Sequence, residues 1–370
     1  MECKGIPISG TYTAPRTISF PHMGNYHAPI ARLLRTVFPY DHVTPAPAMT
    51  LKTLELGSRH SPDYVCSPFK YNLGCYLQAL ERGADVLVQT GTGCRYAYFG
   101  ALQEQILRDL GHRFTFLCFS RERAKPLAIY GALKANGSPL GPVRLLGAVL
   151  AALASIRLLD ECEEVIRQNL PFERERGALD AIHTRLLAGM VGASALRAVW
   201  KLRRETRRAL CAVPLTIPAK PLRVGVVGEL YTVMDAFSNG DIERKLARRG
   251  ISVSRPMSVS FLLLGKRDKR TLRKTGGYLR YPVGANGIDS VAWTRAFAAA
   301  GYDGVIHLKS FGCTPELNAL PALRRLSADT GLPLLSLSYD TQTSETGLDT
   351  RLEAFCDMLE QRKRPDRTGA

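Results

Sequence analysis

The sequence predicts an α/β protein built from two parallel-sheet lobes with a helical segment between them. In residues 16–120, short apolar runs typical of strands alternate with segments whose apolar residues have helical spacing, and the same alternation returns in residues 216–370. Residues 121–215 show helical spacing with almost no strand-like runs. Such alternation is typical of a parallel sheet covered by helices on both faces. Residues 1–15, rich in Pro, Gly and Thr, are predicted to form an irregular arm.

The N-terminal lobe is predicted to contain four strands and three helices. Its strands are short apolar runs bounded by turn-forming residues, and its helices repeat apolar residues every three or four positions. The predicted strands are residues 17–21, 42–45, 85–89 and 114–119, and the predicted helices are residues 26–38, 73–82 and 98–110.

The middle segment is predicted to be helical throughout. Its clearest helices are residues 161–169, 178–189 and 195–210. The most apolar stretch, residues 145–159, carries Arg157, and no run approaches the ~18 apolar residues that span a bilayer. It is therefore predicted to be a buried helix of a protein without a membrane span. The prolines that follow, Pro214, Pro218 and Pro221, mark a linker.

The C-terminal lobe repeats the order of strands and helices of the first lobe but not its amino-acid sequence. It opens on the strand Arg223-Val-Gly-Val-Val-Gly, and a basic, less regular stretch is predicted for residues 266–286. The further predicted strands are residues 251–256, 304–308 and 333–338, and the predicted helices are residues 241–249, 289–300, 315–330 and 349–362.

The chain is strongly basic. It has 50 Lys and Arg against 33 Asp and Glu, a net charge of +17, concentrated in residues 197–208 and 266–274. This charge indicates either an arginine-rich surface or a partner that carries phosphate or acidic groups. No helix-turn-helix, zinc-finger, RRM or KH pattern accompanies it, so nucleic acid is not expected as a partner.

The nine cysteines do not form a recognisable disulfide or zinc pattern. The N-terminus has no basic region followed by an apolar one, so a cytoplasmic location, where thiols stay reduced, is expected. No Cys-x-x-Cys pair is present. The glycine turns do not match a phosphate-binding loop or a dinucleotide-binding turn, and no Gly-x-Ser-x-Gly elbow indicates serine hydrolase chemistry.

Three of the cysteines, Cys66, Cys94 and Cys313, each follow a short apolar run that is predicted to be a β-strand, and each lies in a turn of small residues. Because the carboxyl ends of parallel strands face one crevice, we expect their thiols at such an edge. Three thiolates suit an iron–sulfur cluster in which one iron lacks a protein ligand. Buried inert thiols and a zinc site remain alternatives. Cys75, nine residues after Cys66, is either an additional ligand or a packed helix thiol.

Residues beside these cysteines suit an anionic centre. Lys70, Arg95 and Lys309 lie close in sequence and would offset negative charge, while Gly93 and Gly312 would leave backbone amides open to cluster sulfides. His307 precedes Cys313 on the same predicted strand. No catalytic residue is predicted.

The sequence segments around these cysteines resemble those of one protein family. The segments are residues 20–26 (Phe-Pro-His-Met-Gly-Asn-Tyr), residues 66–74, residues 301–316 (ending Phe-Gly-Cys-Thr-Pro-Glu), and Asp340 with residues 345–355. They resemble the superfamily of 2-hydroxyacyl-CoA dehydratase component D and double-cubane cluster proteins, in its activase-like, dehydratase-like branch of unknown function.

The resemblance implies two Rossmann-like lobes with a cluster in the cleft between them, either [4Fe-4S] or a sulfide-linked double cubane. It implies Cys66, Cys94 and Cys313 as metal ligands, an ATP-hydrolysing iron–sulfur activator as electron donor, and a homodimer or a heterodimer with a related subunit. The expected activity is an oxygen-sensitive reduction or a radical dehydration. A non-catalytic electron-transfer or cluster-carrying subunit is the alternative function, and a basic nucleic-acid-associated protein is the third.

Overall fold

The computed structural model describes residues 14–91, 94–120, 126–193, 195–264, 269–341 and 343–363. The chain divides into two compact units: unit 1 is Met1–Leu159 with Arg185–Glu205, and unit 2 is Asp160–Thr184 with Thr206–Ala370. Each unit contains one four-stranded sheet in which all strands run parallel. The predicted fold class is therefore confirmed, while the four-segment division at residues 15, 120 and 215 stays a prediction.

The sheet of unit 1 has the order β2-β1-β3-β4. Ile18 is level with Val43 on one side and Val86 on the other. The chain moves from β1 to β2 at the edge and returns to β3 on the opposite side of β1, so the direction of winding switches between β1 and β3. The strands are β1 (Thr17–Ser19), β2 (His42–Val43), β3 (Val86–Gly91) and β4 (Thr115–Ser120).

Helices cover both faces of this sheet, because the apolar side chains along each strand point alternately to one face and to the other. Val86 packs in the cluster beneath α1 and α5, and Leu87 packs in the cluster beneath α3 and α4. A short 3-10 turn at Gly24–Tyr26 leads into α1. The helices are α1 (His27–Val37), α2 (Leu51–His60), α3 (Ser67–Glu81), α4 (Tyr96–Asp109) and α5 (Pro126–Ala135).

The close contact between α2 and α3 depends on glycine. A Cβ at Gly57 would lie 1.8 Å from the carbonyl oxygen of Lys70, and one at Gly74 would lie 2.0 Å from that of Thr53. Helix α2 was not predicted from the sequence. The strand predicted before Cys66 is wrong, because residues 61–66 form turns and coil between α2 and α3.

Three helices follow: α6 (Pro142–Asn169), α7 (Ala178–Gly192) and α8 (Leu196–Ala212). By length and composition, one helical stretch of the described chain, Pro142–Phe172, could cross a membrane, and 39% of its most apolar window is buried. Core helices of soluble proteins pass the same test, so this is a weak indication. The prediction of a buried helix over residues 145–159 holds for Leu158 and Leu159 but is wrong in its N-terminal part, where Leu146 is 58% and Leu150 47% exposed.

The sheet of unit 2 has the order β6-β5-β7-β8, the same order as in unit 1, and β7 is buried along its whole length. Its strands are β5 (Leu222–Gly228), β6 (Ile251–Ser254), β7 (Gly304–Ser310) and β8 (Leu334–Tyr339). The helices are α9 (Leu230–Met234), α10 (Ile242–Arg248), α11 (Val259–Leu264), α12 (Lys269–Lys274), α13 (Gly287–Ala299), α14 (Thr314–Thr330) and α15 (Glu345–Lys363). The stretch predicted to be less regular therefore contains the short helix α12.

Hydrogen bonds join the C-terminal half of α6 to the end of β6 in unit 2. Glu164 accepts hydrogen bonds from the Arg255 backbone amide at 3.2 Å, from Arg167 at 2.9 Å and from the Ser254 hydroxyl. Arg255 also donates to Glu243 at 2.6 Å. Burial acts to raise the pKa of Glu164, but Arg167 and these hydrogen bonds outweigh it and lower that pKa.

Candidate functional site

Cys94 lies in the turn that leads from β3 to the first residue of α4. Its side chain is exposed, and its Sγ accepts a hydrogen bond from the backbone amide of Tyr96 at 3.4 Å. The carbonyl of Cys94 accepts from the amide of Ala97 at 3.0 Å, which starts the helix. Backbone amides at a helix N-terminus favour a thiolate over a thiol. Arg95, the residue that caps α4, is also exposed, and Gly93 lies outside the described residues.

Cys313 has the same kind of position in unit 2. It is the N-cap residue of α14, half-buried, with its amide donating to Ser310 at 3.0 Å and its carbonyl accepting from Leu317 at 2.9 Å. Gly312, in the same turn, is half-buried. Cys313 therefore follows β7 directly, as predicted for a thiol at the carboxyl end of a strand.

Cys94 and Cys313 hold equivalent places in the two sheets. Cys94 lies three residues after Gly91, the last residue of β3, and Cys313 lies three residues after Ser310, the last residue of β7. In each unit this strand borders the strand where the winding direction switches. Open α/β sheets bind ligands outside the carboxyl ends of the strands at that point. Each thiol thus lies at the edge of its own sheet where open α/β folds commonly bind ligands.

Cys66 reaches a helix N-terminus by another route. It is the N-cap residue of α3, is half-buried, and borders the apolar cluster of Phe69 and Leu73. The N-terminal part of α3 packs against α4, since Gln103 donates to the carbonyl of Phe69 at 3.0 Å and Asn72 donates to the Tyr96 hydroxyl at 2.7 Å. Unit 1 therefore carries Cys66 and Cys94 at the N-termini of two neighbouring helices.

Two other residues named from the sequence also lie on α3. Lys70 is half-buried, and Cys75 is fully buried within the helix. No group of three or more His, Cys, Asp or Glu within the described ranges could hold a metal ion. The ligand roles of Cys66, Cys94, Cys313 and Cys75 therefore stay predictions.

A buried lysine lies beside the Cys313 turn. Lys309 is only 3% exposed, and its Nζ is 6.0 Å from the centroid of the Phe311 ring. Burial lowers the pKa of Lys309, while the nearby Cys313 and Glu316 act to raise it. A cation at this depth suits an anionic partner at the turn, because it lacks the water that would otherwise solvate it.

His307 and Glu316 form a buried pair across the same turn. Both are at most 1% exposed, and Nε2 of His307 lies 2.9 Å from Oε2 of Glu316. Glu316 also accepts from the hydroxyl of Ser290 at 3.2 Å, and Nδ1 of His307 lies 3.1 Å from Oγ of Ser336. Sequence analysis noted His307 but missed Glu316, whose only signal was its position just after Cys-Thr-Pro.

Sequence analysis also missed Glu229, the residue that follows β5 at the switch point. Its carboxylate caps α9, accepting from the amides of Tyr231 and Thr232, each at 2.9 Å, and from the Thr232 hydroxyl at 2.7 Å. Burial raises the pKa of Glu229, these hydrogen bonds act to lower it, and nearby Glu316 acts to raise it. A second carboxyl group therefore lies close to the His307–Glu316 pair.

In unit 1, His22 in the loop after β1 stacks on His27, the first residue of α1. The rings of His22 and His27 are 4.5 Å apart, and Nδ1 of His27 lies 3.0 Å from the carbonyl of Gly24. Burial, with a smaller contribution from His27, lowers the pKa of His22 to about 4. His22 is therefore neutral near pH 7 at the switch point between β1 and β3.

The comparisons with known proteins agree with the family named from the sequence. Residues 292–359 match the family model of the 2-hydroxyglutaryl-CoA dehydratase D-component. The matched segment runs from α13 through β7, α14 and β8 into α15, and so includes Cys313, His307 and Glu316. The predicted resemblance to 2-hydroxyacyl-CoA dehydratase component D is thereby confirmed for this segment. No curated protein matches the chain.

Proposed function

Because residues 292–359 match the family model of the 2-hydroxyglutaryl-CoA dehydratase D-component, we propose that this chain is an iron–sulfur protein. It accepts low-potential electrons from an ATP-dependent activator and carries out a reduction or a radical dehydration at its cluster. The observation that carries the proposal is the equivalent placement of Cys94 and Cys313 after the third strand of two sheets with one strand order.

The donor set fits an iron–sulfur cluster. Cys66, Cys94 and Cys313 supply three thiolates, and each lies at the N-terminus of a helix, where the backbone dipoles favour negative charge. Thiolates are the ordinary ligands of such clusters. When bound, a cluster with three cysteine ligands supplies single electrons and one iron that is open to a substrate oxygen. Cys75 is proposed as a packed thiol because its side chain is fully buried.

The charged residues near these thiols have separate proposed roles. Lys309 offsets the negative charge of the centre from a buried position, whereas Lys70 and Arg95 do so from half-buried and exposed positions. The amides of Gly93 and Gly312 are proposed to donate hydrogen bonds to the centre. Lys309 is proposed to stabilise the negative charge of the centre more than Lys70 or Arg95 does, since electrostatic interactions weaken with exposure to water.

Partners and location follow from the same premise. The family implies a separate activator that delivers electrons, and the proposed assembly is a homodimer or a heterodimer with a related subunit. A cytoplasmic location is proposed, where an oxygen-sensitive centre is protected. Addition of an ATP-dependent iron–sulfur reductase tests the choice between enzyme and electron carrier: turnover of a 2-hydroxyacyl-CoA or a small reducible molecule supports the enzyme, and reduction without turnover supports the carrier.

Anaerobic purification followed by iron and sulfide quantification tests the proposal. We expect a brown protein with absorbance near ~400 nm, the broad thiolate-to-iron band of such clusters. Cys94→Ala and Cys313→Ala should each remove most of the iron. Cys118→Ala and Cys211→Ala serve as matched controls, one half-buried and one exposed, and should retain it. A colourless wild-type protein, or undiminished iron in both Cys94→Ala and Cys313→Ala, contradicts the proposal.

A further inference from the structure

The buried His307–Glu316 pair spans the turn that carries Cys313. His307 lies on β7, Glu316 lies in the first turn of α14, and Cys313 lies between them in the sequence. We propose that His307 and Glu316 are positioning residues, which fix the direction in which the Cys313 thiol leaves the sheet edge. The significance of this thiol rests on the function proposed above, but the positioning itself does not.

The pair closes the strand–turn–helix segment into a ring. Its bond of 2.9 Å joins the strand to the helix directly, while the amide of Cys313 donates to Ser310 at 3.0 Å within the ring. The amide of Phe311 donates to the carbonyl of Tyr339 on β8 at 2.8 Å. The backbone on both sides of Cys313 is therefore tied to fixed elements.

The pair is itself held from two further elements. Ser290 on α13 donates to Glu316, and Ser336 on β8 lies 3.1 Å from His307. The helices approach closely here, since a Cβ at Gly287 would lie 2.4 Å from the carbonyl oxygen of Pro315. Glu316 thus has one arrangement in which both of its carboxyl oxygens have hydrogen-bond partners. This arrangement fixes the start of α14.

Stability alone does not account for the pair. Burying two ionisable groups carries a large desolvation cost, and apolar residues of similar volume often stabilise a core as well or better. A satisfied buried polar network instead selects one geometry over others. This network encloses one turn, and the turn contains a cysteine at the ligand-binding edge of the sheet. The geometry that it selects is therefore that of Cys313.

The test measures how readily Cys313 reacts in the folded, full-length chain prepared without a cluster. The rate of alkylation by iodoacetamide is followed by mass spectrometry of the Cys313 peptide, with exposed Cys211 as an internal reference. Glu316→Ala removes the bonds to both His307 and Ser290 and should change the Cys313 rate by more than about tenfold, the factor that corresponds to loss of one buried hydrogen bond. Glu316→Gln, whose amide oxygen can accept from His307 while its amide nitrogen donates to the hydroxyl oxygen of Ser290, should stay within roughly twofold of wild type.

Ser327→Ala is the matched control, because it removes a 2.7 Å bond to Leu332 at the other end of α14. It should leave the Cys313 rate unchanged. Ser290→Ala removes only one bond to Glu316 and should give an intermediate change, so it serves if Glu316→Ala does not fold. Equal Cys313 rates in wild type and in Ser290→Ala or folded Glu316→Ala, or an equal change in Ser327→Ala, would overturn the proposal.

These outcomes are independent of the iron measurement. Absence of iron from the anaerobic wild-type protein contradicts the proposed function but leaves the alkylation rates as they are. Conversely, a chain that holds iron while Glu316→Ala alkylates at the wild-type rate contradicts only the positioning roles of His307 and Glu316.

Discussion

At the scale of single residues, burial divides the thiols into two groups. Burial and the neighbouring Glu163 raise the pKa of Cys162 to about 12, with Arg167 acting against them, and burial is also the main cause that raises the pKa of Cys356 to about 11. Such thiols stay protonated near pH 7 and are poor nucleophiles and ligands. Cys94, unlike Cys162 and Cys356, is exposed, and its Sγ accepts a backbone hydrogen bond. Exposure and this hydrogen bond both favour metal binding by its thiol.

Lys309 permits a prediction about stability. Because burial lowers its pKa, the unfolded chain binds the Lys309 proton more tightly than the folded chain. The stability of the wild type should therefore rise with pH between the folded pKa and the ordinary value of 10.5. Lys309→Met removes the buried ammonium and should increase the free energy of unfolding at pH 7 by about 1 kcal/mol.

Urea denaturation from pH 7 to pH 10.5 measures this difference. The advantage of Lys309→Met over wild type should shrink as the pH rises. Lys134→Met, at an exposed position on α5, is the control and should change stability little at any pH. A destabilised Lys309→Met protein at pH 7 would show instead that attraction to Cys313 and Glu316 exceeds the burial cost.

At the scale of elements, the α2–α3 contact gives a second prediction. Gly57→Ala places a methyl group 1.8 Å from the Lys70 carbonyl oxygen, and neither backbone can move away without separating the helices. The free energy of unfolding should fall by about 3 kcal/mol. Gly131→Ala on α5 meets no atom within 4 Å and should instead stabilise by up to about 1 kcal/mol. Thermal unfolding followed by circular dichroism measures both, and similar values for the two variants would contradict the contact.

Elements with a strong local pattern were predictable, and those set by packing were not. The strand at 304–308 and the helix at 315–330 appear in the structure as β7 and α14 with ends shifted by two residues or fewer. The apolar run before Cys66 consists of Tyr64 and Val65 alone and is too short to form a strand. Helix α2 depends on its close glycine contact with α3, which the local sequence does not show. Likewise, the cysteines after β3 and β7 followed from strand ends, whereas the Glu316 bond to His307 exists only once strand and helix have folded together.

At the scale of the whole molecule, unit 2 is assembled from two separate stretches of chain. The Glu164 network belongs to this assembly, because it links Asp160–Thr184 to β6. Since the folded protein lowers the pKa of Glu164, its contribution is present above the unfolded pKa, about 4.3. It is lost as the pH falls through the lower folded value.

Glu164→Gln should therefore lower the free energy of unfolding at pH 7 by about 1–3 kcal/mol, and the gap to wild type should close in acid. Urea titrations between pH 3 and pH 7 measure the gap. Glu55→Gln removes an exposed ion pair with Arg59 and should cost less than about 1 kcal/mol at every pH. A gap for Glu164→Gln that is constant with pH would mean that shape, rather than ionisation, accounts for its contribution.

The discontinuity of unit 2 has a consequence for synthesis on the ribosome. Parallel strands need crossover connections, so no strand of either sheet can pair with a sequence neighbour as a hairpin does. Asp160–Thr184 emerges well before Ser254 and Arg255 and meets its partners only after they are translated. The nascent chain therefore passes through a stage in which the charged and apolar surfaces of this segment are uncovered, and a chaperone that holds extended chains would act at this stage.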